Sequence, residues 1–174
     1  LYYQFQRSVL QLVAQGVMVA LCSKNEEADV WEVLETHPHC LLRREHLVGW
    51  RINWQDKATN LAELAAELNI GLEHVVFVDD SPLECACVRE ALPAVTVLPV
   101  PEPLTALPRL LFEDGWFAAL NVSEEDRRRP QLYRAEARRQ LAAASFPDLA
   151  AFLASLEIAL EIAPLAAEDV ARAA

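Results

Sequence analysis

The sequence predicts an α/β domain built on a parallel, helix-covered sheet. Three observations carry that expectation. Short, continuous apolar runs alternate with stretches of helical period along the first hundred residues. The clearest run, HVVFVDD at residues 74–80, ends in two adjacent carboxylates. Polar, chemistry-bearing residues also gather where such runs finish, and in open α/β sheets ligands sit beyond the carboxyl ends of the strands.

Each element follows in chain order. QFQRSVLQLVAQ has Phe5, Val9, Leu12 and Val13 at helical spacing and runs into Gly16, a natural residue for a left-handed helix end. VMVALC is short, continuous and branched, as in a buried parallel strand. NEEADVWEVLETH reads as a helix with acidic residues in its first turn, suited to the dipole. Beyond Pro38 a short strand is expected near Leu41, with an extended piece from Trp50 to Trp54. DKATNLAELAAELN is a strongly amphipathic helix closed by Ile70-Gly71. The strand HVVFVDD, the helix PLECACVREAL and the strand AVTVLPV come next, before a proline-punctuated connection, PEPLTALPRLL. From Phe112 the character changes: SEEDRRRPQLYRAEARRQLAAA and DLAAFLASL read as helices, and EIALEIAPL alternates like a strand.

Composition bounds the function. A chain of 174 residues, 53% hydrophobic, suffices for one well-cored α/β domain with an appendage. The net charge of −11 argues against a nucleic-acid binder, which needs a basic footprint. No apolar run approaches the ~18 residues of a membrane span. The opening LYYQFQRSV has no Met, basic leader or cleavage site, so the true N-terminus is expected upstream and the protein in the cytoplasm. Cys22, Cys40, Cys85 and Cys87 lack zinc-site spacing and read as free thiols of a reducing compartment.

Three features line up in order: Ser23 at one strand end, Lys57 at a helix start, and Asp79-Asp80 at the next strand end. Phosphoryl transfer uses such groups. A hydroxyl and backbone N–H groups hold phosphate oxygens, a lysine offsets charge in the transition state, and carboxylates hold Mg²⁺. Each also has a plain alternative. Ser23 serves equally as an N-cap, Lys57 as a solvated side chain, and Asp79-Asp80 as a turn cluster. Two neighbouring carboxylates repel, however, and a cation removes that cost.

LCSKNEE, INWQDKATNLAELAAELNIGLEHVVFVDDSPLECACVRE and LPAVTVLPVP resemble the haloacid dehalogenase (HAD) superfamily, and within it the FkbH-like enzymes of subfamily IIIC. FEDGWFAALNVSEEDRRRPQLYRAEARRQL and FLASLEIALEIAP resemble the segment after that family's core. The resemblance implies a HAD-like Rossmannoid three-layer α/β/α parallel sheet over residues 1–103. Residues 104–174 would form a helical and short α+β extension. It also implies roles: Ser23 and Lys57 as catalytic groups; Ser23, Lys24, Asn25 and Lys57 as phosphate-binding groups; Asp79 and Asp80 as ligands of Mg²⁺. The expected activity takes a glyceryl unit from 1,3-bisphosphoglycerate, removes phosphate and loads glycerate onto an acyl carrier protein as a thioester. A small-molecule HAD phosphatase and a non-catalytic carrier-protein module are the alternatives.

One departure stands out. The family's nucleophile lies in a D-x-D-x-[TV] motif on its first strand, and no such motif occurs in these residues. The expectation is a fragment cut at both ends, inactive by itself. Cys22, beside Ser23, is a candidate acyl nucleophile if the helix start and Lys24 lower its pKa. Strand alternation points Cys22 and Ser23 to opposite faces and favours a core thiol. Arg127, Arg128, Arg129, Arg134, Arg138 and Arg139 could steer an acidic carrier protein, but interleaved acids fit an ordinary solvated helix as well.

Overall fold

The computed structural model describes residues 1–113, 115–117, 123, 124, 128, 129, 131–133 and 135. The expected C-terminal helices and the strand at residues 157–165 lie largely or wholly outside them, as does most of the expected extension. In chain order come α1 (Tyr2–Ala14), β1 (Val19–Ser23), α2 (Glu27–Thr36), β2 (Leu47–Ile52), α3 (Lys57–Glu67), β3 (Val76–Asp79), α4 (Pro82–Ala91) and β4 (Thr96–Pro99). Short 3₁₀ turns occupy Arg44–His46, Leu72–His74 and Leu104–Arg109.

Among the described residues the strands form two parallel pairs, β1 with β2 and β3 with β4. Ser23 stands opposite Ile52 in the first pair, and Asp79 opposite Pro99 in the second. The described strands of the expected parallel sheet thus fall into two pairs, with β1 and β3 in different ones.

Helix ends follow local chemistry. Gly16, at φ 95°, donates its N–H to Val13 O, and Val17 N–H reaches Leu12 O, closing α1. At the end of α3 that left-handed position belongs to Asn69, at φ 50°, not to the Ile70-Gly71 expected from sequence. Asn is the commonest substitute for Gly there, and Ile70 N–H completes the motif on Ala65 O.

The strand expected near Leu41 does not form. The N–H groups of Leu41 and Leu42 both donate to Gln6 Oε1, at 2.7 and 3.1 Å, so a side chain of α1 replaces the ladder. The strand lies later, where Leu47, Val48 and Ile52 are buried. One core cluster joins Ala58 and Leu61 of α3 to Phe77, Val88 and Val95; the other is Trp31, Leu47 and Ile52. The two are connected through α3. Arg51 of β2 pairs with Glu63 at 3.0 Å and Glu67 at 2.7 Å on α3, and a Cβ on Gly49 would press Leu64 at 3.1 Å. Glycine in β2 gives Leu64 that room; a larger residue would make its side chain yield by a few tenths of an ångström.

Candidate functional site

Ser23 is the last residue of β1, and the N-cap of α2 is Glu26, three residues on. Asn25 Oδ1 accepts Glu26 N–H at 2.8 Å, so Asn25 serves the turn and Ser23 does not cap the helix. The Ser23 hydroxyl makes no hydrogen bond among the described residues. Its carbonyl accepts Asn53 N–H at 3.1 Å, which ties the end of β1 to the loop after β2.

That loop delivers Lys57. Asn53 and Asn60 exchange side-chain amide hydrogen bonds at 3.2 and 2.8 Å, and Asn60 is fully buried. Asn53 Oδ1 also accepts Gln55 N–H at 3.0 Å. Asp56 caps α3 by accepting both the N–H and the hydroxyl of Thr59, each at 2.8 Å. These two bonds, the backbone one foremost, hold the Asp56 carboxyl below its ordinary value. Lys57 therefore starts a helix in a fixed frame. A cation is unfavourable at a helix N-terminus, and here carboxylates answer it.

The principal answer is Asp79. Lys57 Nζ is ion-paired with Asp79 Oδ2, and both side chains are largely withdrawn from water. Asp79 Oδ1 accepts Ser81 N–H at 2.8 Å, so both carboxylate oxygens are engaged. Asp80, one residue on, is exposed. The two adjacent carboxylates thus separate into a buried, paired one and a free one. Among the described residues no group of three or more His, Cys, Asp or Glu side chains stands close enough to hold a metal ion.

Lys24 and Glu84 form a second pair, at 2.6 Å. The Glu84 side chain is mostly covered and reaches across the rim. The hydrogen bond to Glu84 raises the Lys24 pKa above the ordinary lysine value. Neither pair was legible as a pair, because the partners lie 22 and 60 residues apart.

Cys22 faces the other way, as alternation requires. It packs against the cluster of Ala58, Leu61 and Phe77, with its Sγ 4.0 Å from Lys57 O. Burial pushes the thiol up from 9.0 to about 11, outweighing the nearby lysine charges. The lowered pKa expected from Lys24 and a helix start is therefore corrected: desolvation wins. A raised thiol pKa means the native state holds its proton more tightly than the unfolded chain. The resulting stabilisation is complete below pH 9.0 and disappears as pH rises through about 11. Denaturation across that range should show the loss, and Cys22→Ala should flatten that part of the profile. An unchanged slope in the variant would contradict the assignment.

Ser23, Lys57 and Asp79 are brought to one rim by their neighbours: Cys22 touches Lys57, Lys57 pairs with Asp79, and Lys24 touches Glu84 in the first turn of α4, just after β3. No family model matches the chain, and no curated protein matches it. Among solved structures it is similar to the N-terminal part of the protein BF1531 from Bacteroides fragilis, which contains a phosphatase domain and was crystallised with Mg. Identity is 36% and the TM-score 0.61 over 64% of this chain. The fold is HAD-like Rossmannoid α/β. The match spans 30% of the Bacteroides chain, so it covers less than a third of that protein. No described helix is long and apolar enough to cross a membrane.

Proposed function

We propose that these residues supply the phosphate- and Mg²⁺-binding half of a phosphoryl-transfer centre acting on a phosphorylated small molecule in the cytoplasm. The observation that carries the proposal is the buried Lys57–Asp79 pair at the rim that bears Ser23, in a fold 36% identical to a Mg-bound phosphatase domain. Phosphoryl transfer requires mainly positioning and charge stabilisation from a protein. Lys57 offers an ammonium fixed at a helix start, and Ser23 a hydroxyl with no competing partner. Lys24 and Asn25, in the turn after β1, complete the anion-binding set.

Asp79 and Asp80 fit Mg²⁺ in donor chemistry. Mg²⁺ takes hard oxygens and is commonly held by one or two carboxylates, with waters and substrate phosphate in the remaining positions. When bound, the ion neutralises phosphate charge. The attacking aspartate would come from a D-x-D-x-[TV] strand, which these residues do not contain.

The finer reading is FkbH-like. The substrate is 1,3-bisphosphoglycerate, and the product is a glyceryl thioester on an acyl carrier protein. The motif spacing from Ile52 to Glu84 supports it. The plain phosphatase reading is favoured by Cys22, whose core packing and high pKa unsuit it as an acyl acceptor.

Calorimetric titration of inorganic phosphate with and without Mg²⁺ tests the binding half. Mg²⁺ should tighten phosphate, and Asp79→Asn should remove that enhancement. Phosphate binding indifferent to both would end the proposal. With a protein that also carries the D-x-D-x-[TV] strand, mass spectrometry of the carrier after incubation with 1,3-bisphosphoglycerate decides between the finer readings. Glyceryl loading supports transfer; phosphate release without loading supports the phosphatase.

A further inference from the structure

Glu84 is placed against its local preference. Ser81-Pro82-Leu83-Glu84 has the S-x-x-E pattern of a capping box, in which the glutamate reaches back to the N–H of the capping serine. Half of that box forms: Ser81 Oγ accepts Glu84 N–H at 3.3 Å. The other half does not, because Ser81 N–H is already taken by Asp79 Oδ1 at 2.8 Å. Released from the cap, the Glu84 carboxylate crosses to Lys24 Nζ at 2.6 Å, on a segment 60 residues away in sequence. Asp79 thus holds the N–H that Glu84 would take in a closed box, and Glu84 pairs with Lys24.

The rim's charge balance follows. Lys57 is matched by Asp79 and Lys24 by Glu84, and Asp80 adds a further negative charge. Both ammoniums assigned to phosphate are therefore already occupied by carboxylates. An incoming anion must compete with Glu84 for Lys24.

We propose that the Lys24–Glu84 pair is a counter-ion lock on the anion site, in which Glu84 sets the affinity and charge selectivity by competing with phosphate for Lys24. This rests on the phosphate-site reading above. A phosphate monoester dianion has the charge to displace one carboxylate. A singly charged phosphodiester has no such advantage and is refused. Glu84 acts through Lys24, so it is a positioning and selectivity residue.

The test titrates the whole chain, at saturating Mg²⁺, with inorganic phosphate and with dimethyl phosphate. Glu84→Gln keeps the shape and removes the charge. It should tighten inorganic phosphate about fivefold, the scale of one partly exposed ion pair. It should also raise dimethyl phosphate binding proportionally more, narrowing the ratio between the two anions. In Lys24→Met, the added Glu84→Gln change should bring no such gain. Unchanged or weaker phosphate binding in Glu84→Gln, with wild type still binding and Ser23→Ala still weakening it, would overturn the lock alone. Absence of phosphate binding in both wild type and Glu84→Gln would overturn the lock and the phosphate site together. Carbon NMR of the Glu84 carboxylate in the unaltered chain gives a readout independent of any variant. Saturating phosphate should shift that resonance as Lys24 leaves, and an unmoved resonance contradicts the lock.

Discussion

Lys57→Met should lower the stability of the domain by about 3 kcal/mol, because it leaves the Asp79 carboxylate buried without its cation. The side chain of Asp79 is only 5% exposed and that of Lys57 12%, so water replaces little of the lost interaction. Ser81 N–H alone remains to hold one carboxylate oxygen. Asp79→Asn in the same background removes the stranded charge, and the double variant should recover much of the loss. Urea denaturation of wild type, both single variants and the double variant gives the coupling directly. Additive losses would show that the two groups do not depend on each other. The pair need not be a net source of stability for this to hold. A buried ion pair often contributes little relative to apolar replacements, while breaking one costs several kcal/mol. Retaining such a pair at a strand end is easier to understand through the chemistry it places there than through stability.

Asn60→Ala should cost about 2 kcal/mol, from the lost amide pair and the unpaired polar group left on Asn53. Asn60 is fully buried inside an otherwise apolar helix face that includes Leu61, Leu64 and Ala65. Its partner Asn53 holds the end of β1 through Ser23 O and the turn through Gln55 N–H. Losing the pair should therefore loosen the frame that ties the end of β1 to the start of α3. Asp56→Ala offers a scale on the same helix, since it removes an exposed N-cap and not a buried amide pair. Thermal or urea unfolding of the two variants checks the order. A smaller loss for Asn60→Ala than for Asp56→Ala would contradict the burial argument. Asn53→Ala combined with Asn60→Ala should cost less than the sum of the single changes, because the two amides share one pair of hydrogen bonds.

The periodicity of the sequence by itself determined the four described helices and three of the four described strands, since apolar spacing and turn residues act over a few neighbours. Leu12, Leu61, Leu64 and Val88 are buried on the faces that their spacing marks. The order Ser23, Lys57, Asp79 was readable too, as polar residues at element ends. Local pattern failed near Leu41, where Gln6 from another element took over the backbone hydrogen bonds. It also failed for Asn60, which reads as one more polar residue on an amphipathic helix until Asn53 is seen opposite. Only tertiary structure decided the pairing of charges. The Lys57–Asp79 and Lys24–Glu84 contacts join residues far apart in the chain, and Ser81 N–H, which a local cap would offer Glu84, is held by Asp79. Tertiary structure likewise decided the state of Cys22. Lysines close in sequence or space favour a thiolate, but burial against Ala58, Leu61 and Phe77 raises its pKa to about 11. Sequence spacing reports what a residue's neighbours along the chain favour; desolvation and long-range charge pairing depend on which segments fold against it.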